Sequence, residues 1–289
     1  MNILNALVQG ILLGGLFAMS ALGLSLAYGV LRIVNLAHGQ LMILAAYLAV
    51  VNMAAFGADV WLAMVIVIPI MFMLGFAAQY FLFQRALRMS ELAPLVIAFG
   101  LSVIIPNALI SLFTTNKQLI ASGSLSVASV QLGGMSIGVL PLLTMAVAIA
   151  LIVGLQLFLN GTSLGRKMRA ASDDPDTLRL MGVNYRTVYA SAMGIAFVLA
   201  GLAGVFLGIR QGGVTPIDGQ IAVLFAFETV IIGGLGSLWG TLLGGIVLGV
   251  AQTVAGQINP ELPLLVGNLV FLAVLVIRPS GILKGKVFA

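Results

Sequence analysis

Cysteine is absent from all 289 residues, so neither a disulfide framework nor thiol chemistry is available to this chain. Histidine occurs once, at His38, and with no thiolate to join it a conventional zinc site cannot be assembled. Charge is scarce as well. Thirteen basic and eight acidic side chains make up 7% of the sequence, where soluble proteins carry about 25%. That shortage excludes a soluble domain. The formal net charge of +5 gathers at the ends of apolar runs, which points to anionic lipid rather than to nucleic acid. A phosphate-binding loop is also missing. The pair Gly285–Lys286 lacks both the upstream glycine and the following hydroxyl of G-x-x-x-x-G-K-[ST], so the chain does not hydrolyse ATP itself. With no nucleophile–base pair either, the sequence does not read as an enzyme.

What is present is oil. Hydrophobic residues make up 61% of the chain and the mean hydropathy is +1.20. Apolar runs long enough to cross a bilayer, about 20 residues each, recur along almost its whole length. They fall at 4–28, 39–56, 61–83, 93–113, 139–159, 188–209, 221–235, 238–255 and 262–277. The first begins almost at Met1 and is too long for a signal-peptide core, so it reads as a retained span that also directs insertion. The expected fold is an all-α, polytopic transmembrane helical bundle of roughly 8–10 spans with one or two broken or re-entrant helices. The apolar runs suggest one transmembrane domain over residues 1–289.

Two breaks interrupt the apolar pattern. The stretch 28–40, "YGVLRIVNLAHGQ", places Arg32, Asn35, His38 and Gln40 between two apolar runs. It reads either as a loop or as a broken helix dipping into the bilayer. Strongly polar groups inside spans are costly and therefore candidates for a solute path, which nominates Asn35, His38, Gly39 and Gln40. The alternative for His38 is a lone interfacial side chain bonded to a backbone carbonyl. Glu228 joins these candidates as the one carboxylate inside an apolar run, placed to line a path, to fix a helix break or to pair with Arg210. The second break is "GGLGSLWG" at 233–240. Here Gly233 and Gly234 mark a turn, and Gly236, Gly240 and Gly244 recur every four positions, a spacing that lets helix backbones approach closely in lipid.

Orientation follows from the basic residues. Arg85 and Arg88, the group Arg166, Lys167, Arg169, Arg179 and Arg186, and finally Arg278, Lys284 and Lys286 should be cytoplasmic. The loop 114–138, with a single lysine, should be external. An even number of crossings must then separate residues 161–187 from the C-terminus, and four crossings with the glycine turn inside satisfy this.

Between these spans lies a polar island, "ASDDPDTLRLMG", at 171–182, which holds three of the eight acidic residues. Asp174 suits an N-cap and Pro175 the first helical position. Asp176 suits the first turn, Arg179 the C-terminal side, and Gly182 a left-handed cap. The result is a helix of about seven residues, or roughly 10 Å, too short to span a bilayer. Leu178 and Met181 form an apolar ridge, while Leu180 points to another face. The element reads either as a capped turn or as a docking knob for a soluble partner.

At this point the chain resembles the LivH-type permeases of ATP-driven importers for branched-chain amino acids, along essentially its entire length. The resemblance rests on "YGVLRIVNLAHGQ", "VIAFGLSVIIPN" at 96–107, "LGRKMRAASDDPDTLRLMGVN" at 164–184, "LAGLAGVFLG" at 199–208, "GGLGSLWGTLLGG" at 233–245 and "RPSGIL" at 278–283. It implies a bacterial inner-membrane subunit with a cytoplasmic C-terminus that translocates branched-chain or other hydrophobic amino acids. The implied partners are two ATPase subunits, a related LivM-like permease or a second copy, and a periplasmic substrate-binding protein. ATP and magnesium would reside on the ATPases, with no cofactor or metal on this chain. It also implies that Arg169, Asp173, Asp174 and Pro175 to Gly182 form the helix that couples to the ATPases. Gln40 stands where related permeases often carry a carboxylate, and Glu228 where many carry a small or apolar residue. Importers of urea and short amides use similar permeases. From another class, an ion-coupled secondary transporter would use the broken helices equally well, but would leave the capped island unexplained.

Overall fold

A computed structural model describes residues 3–90, 92–120, 123, 128–132, 135–174, 178, 180 and 182–283. The helices are α1 (Ile3–Leu31), α2 (His38–Phe56), α3 (Val60–Ala86), α4 (Ala93–Phe113), α5 (Val139–Gly161), α6 (Ser163–Asp173), α7 (Tyr185–Gln211), α8 (Asp218–Gly233), α9 (Leu238–Ile258) and α10 (Leu262–Ile277). Each of the nine expected apolar runs is a helix. Seven of them are long and apolar enough to cross a membrane, while α8 and α10 have 16 residues each. The protein is a multi-pass membrane helical bundle.

Two elements were not foreseen. Helix α6 is polar, and its inner face uses small or flexible residues, Gly165, Met168, Ala171 and Ser172. Thr162 caps it, its hydroxyl accepting the Gly165 N–H at 3.0 Å. A short antiparallel hairpin, β1 (Ser129–Leu132) with β2 (Met135–Gly138), precedes α5.

Burial separates centre from periphery. In the most apolar 18-residue windows, 89% of α1 and 78% of α7 are buried, against 22% of α4 and 28% of α5. The outer helices therefore present their apolar faces to lipid or to another membrane subunit. The tightest pairing is α1 against α9, which run antiparallel with glycines at spacings of four on both sides. A Cβ on Gly245 would fall on the backbone of Gly14 and Ala18, and one on Gly249 on that of Gly10 and Gly14. Helices in lipid gain nothing from excluding water, so this backbone proximity is what holds the pair.

Contacts define two ends of the bundle. At one, Arg32 Nη2 donates to Ser172 O at 3.2 Å and Trp239 Nε1 to Gln156 Oε1 at 2.6 Å. The C-terminal strap also folds back there onto α8: the Ile282 and Leu283 N–H groups donate to Ile232 O and Gly233 O at 2.9 and 3.1 Å. These bonds satisfy carbonyls that the end of a helix leaves open. At the other end Gln118 bridges to Val214, and Gln9 Nε2 donates to Ser136 O on the hairpin at 3.3 Å. The four helices after α6 alternate in direction, so 234–237 and 281–283 return to the end that holds α6. We call the two ends the basic end and the hairpin end.

Candidate functional site

The break after α1 is a re-entrant connection. His38 Nε2 lies 2.7 Å from Ser20 O, and because a carbonyl only accepts, the proton sits on Nε2. Ser20 lies eleven residues before the end of α1, about 16 Å back along its axis at 1.5 Å per residue. Helix α2 therefore starts deep inside the bundle, and residues 32–37 climb back to reach it. Arg32 opens the break with φ 56°, a left-handed conformation that costs a non-glycine residue about 1–2 kcal/mol. Asn35 steadies it, its Oδ1 accepting the Ala37 N–H at 3.0 Å. Gly39 and Gln40 press on the first turn of α8, with Gly39 against Gly219 O and Val223 and the Gln40 carboxamide against Gly219. The structure thus brings Asn35, His38, Gly39 and Gln40 together, all buried, at the crossing of α2 and α8.

Glu228 sits apart from this cluster. It is ten residues beyond Asp218, about 15 Å further along α8, and is 1% exposed. Neither carboxylate oxygen has a hydrogen-bond partner. The pairing with Arg210 considered from the sequence is not formed.

Arg210 instead lines a cavity of about 320 Å³ at the hairpin end, between α1, α7, α8 and α9. Asp218, Gln211 and Gln252 also face it, and its remaining walls are apolar. The Asp218 carboxylate is held by Thr215, whose backbone N–H and hydroxyl each donate to it at 2.7 Å. The stretch Thr215-Pro216-Ile217-Asp218 is a capping-box pattern with proline at the first position. That pattern is the signal from which the start of α8 and the placing of Asp218 could have been read. None of the five path candidates lines this cavity.

The glycine break resolves into a turn between α8 and α9. Gly234 and Gly236 adopt φ 109° and 80°. Gly233 packs on the Gly240 backbone, and Gly244 on Thr229 O and Gly233. The expected single glycine face over 236, 240 and 244 is therefore corrected. Gly236 belongs to the turn, because α9 begins only at Leu238 behind the Ser237 cap.

In the polar island, Asp173 ends α6. Asp174 is its extended C-cap, and its carbonyl accepts the Leu178 N–H at 3.3 Å. Gly182 has φ 74°, and the Val183 N–H reaches Leu178 O at 3.3 Å, the six-to-one closure of a Schellman cap. Leu178 is 4% exposed and belongs to the protein's own core, whereas Leu180 is 89% exposed. The outward ridge expected at Leu178 is thus corrected: among the described residues the outward apolar side chain is Leu180. Arg169 lies on α6, with its Nε buried and unbonded. Pro175, Asp176, Arg179 and Met181 lie outside the described residues.

Among the described residues no three His, Cys, Asp or Glu side chains gather to hold a metal. A bundle of apolar spans with a re-entrant helix and a partly polar cavity between its helices defines a membrane transport subunit. The sequence matches the family described as branched-chain amino acid transport system / permease component over residues 6–277, and the chain belongs to that family. It is 29% identical to the high-affinity branched-chain amino acid transport system permease protein BraD of Pseudomonas aeruginosa, covering 97% of this chain and 95% of that one. It is 28% identical to LivH of Escherichia coli over the same shares of both chains. A shorter match, 32% identical over 42% of this chain and 28% of the other, is to LivM of Escherichia coli. These relatives are permease subunits rather than enzymes. No solved structure matches the chain.

Proposed function

We propose that this chain is the membrane-spanning permease subunit of an ATP-driven importer for branched-chain or other hydrophobic amino acids in a bacterial inner membrane. The family match over residues 6–277 carries this reading. The basic end faces the cytoplasm, since basic residues accumulate on the inner side of short loops. The C-terminus and the α6–α7 connection are then cytoplasmic, and the hairpin end is external. Two ATPase subunits, which hold ATP and magnesium, dock at residues 161–187. This chain carries no cofactor of its own. A related permease, or a second copy, covers the exposed outer helices, and a periplasmic binding protein delivers the solute to the hairpin end. Arg32 supports this arrangement: its hydrogen bond to Ser172 ties the docking segment to the re-entrant break, so movement at one is felt at the other.

The test is gentle purification from the native membrane with mass spectrometry of what co-purifies. Recovery of a phosphate-loop ATPase together with a second permease is expected. Repeated recovery of this chain alone, with solute movement that needs no ATP, would replace the reading with a secondary transporter.

A further inference from the structure

We propose that the cavity at the hairpin end is a binding site for a free α-amino acid with an apolar side chain, in which Arg210 takes the carboxylate and Asp218 the ammonium. This rests on the permease reading and names the residues that would recognise the solute. The cavity's volume of about 320 Å³ lies at the small end of ligand pockets, enough for one such molecule. Its apolar wall is built from Leu16, Phe17, Leu207 and Phe225. Phe17 and Phe225 form a tilted ring pair with centroids 5.1 Å apart, a firm surface for an aliphatic side chain.

The charged groups are not spent on each other. Arg210, an exposed residue at the end of α7, lines this largely apolar space and has no hydrogen-bond or ion-pair partner among the described residues. A guanidinium in that position is suited to a planar carboxylate, which it can hold with two parallel bonds. Asp218 has each oxygen fixed by one Thr215 donor, which orients the carboxylate and leaves acceptor sites free for an ammonium. Gln252, 7% exposed on α9, lines the same space with its amide nitrogen buried and unpartnered. Opposite charges on the lining of a largely apolar cavity match a zwitterion carrying an aliphatic tail. Urea and short amides have neither charge and would leave Arg210 unmatched.

The test uses the absence of cysteine. In the importer complex purified with its own partners, Ala222→Cys places the chain's sole thiol on the cavity wall. Labelling of this chain by a maleimide is followed with L-leucine, with 4-methylpentanoate, which lacks the ammonium, or with 3-methylbutylamine, which lacks the carboxylate. If Ala222→Cys does not reach the membrane, Ile221→Cys on the same wall reports instead. L-leucine is expected to protect, and each half-molecule to fail at the same concentration. Adding Arg210→Ala is expected to raise the half-protecting leucine concentration about tenfold or more, the loss of one charged hydrogen-bonded contact. Equal protection by the amine, or unchanged protection after Arg210→Ala, would overturn the zwitterion site. Absent protection in a preparation that still takes up leucine with ATP would overturn the site and leave the permease reading standing. A preparation that carries urea but not leucine would overturn both.

Discussion

Gly245→Ala on α9 and Gly154→Ala on α5 make the same chemical change and are expected to move stability in opposite directions. At Gly154 nothing lies within 4 Å of where a Cβ would stand, so the alanine gains only what glycine forfeits in a helix, about 0.5–1 kcal/mol. At Gly245 the new Cβ would meet Gly14 O, with Ala18 N at 2.8 Å and Ala18 Cβ at 3.1 Å. Two of these three atoms are backbone, so no side chain can swing away and α1 itself must shift. Such overpacking costs about 1–3 kcal/mol. The propensity gain is common to both variants and cancels in their difference, so the gap between them measures the packing cost alone. Thermal unfolding of the purified complex in one detergent reads it. Gly154→Ala should melt at or slightly above wild type, and Gly245→Ala several degrees below. Equal melting temperatures would refute the claim that backbone contact between α1 and α9 holds the bundle.

Other expectations concern the coupling end and the buried carboxylate. Arg32→Ala should leave ATPase association intact while lowering solute moved per ATP hydrolysed; unchanged coupling in reconstituted vesicles would detach Arg32 from transmission. Leu180→Asp should leave membrane levels normal and weaken ATPase co-purification, whereas Leu178→Asp should deplete the folded protein by burying a charge without a partner, as blots and pull-downs would register; the reverse pattern would invert the assigned faces. Gly182→Val, forced to φ 74°, should destabilise the docking segment by about 1–2 kcal/mol, seen as faster proteolysis between α6 and α7; an unchanged digestion rate would argue against the cap. Glu228→Gln removes a charge that has no hydrogen-bond partner, so it should keep transport and melt no lower than wild type; loss of uptake with normal assembly would place Glu228 on the path.

The spans were legible because continuous apolar runs leave little choice in lipid, where every backbone group must be satisfied within a helix. The re-entrant start of α2 was legible as a polar interruption, but not its depth, which depends on the His38–Ser20 contact between residues 18 apart. Helix α6 carries little hydrophobic signal because Met168 is the one large apolar residue on its inner face, beside Gly165, Ala171 and Ser172. The Gly-Gly between Leu132 and Met135 is a hairpin signal in the sequence. Leu178 was assigned to the wrong face because spacing within a short helix fixes which residues share a side, not which side faces in. The cavity was the least legible feature. Arg210, Asp218 and Gln252 lie on three different helices, and in sequence the two charges resemble ordinary span-end residues.

The central claim, that this chain passes apolar amino acids through the membrane under the drive of separate ATPases, is tested most directly by uptake of labelled L-leucine into vesicles reconstituted with the co-purified complex and its binding protein. Uptake is expected to require ATP on the ATPase side and to stop when the ATPase subunits are left out. Leucine uptake by this chain alone, without ATP, would contradict it.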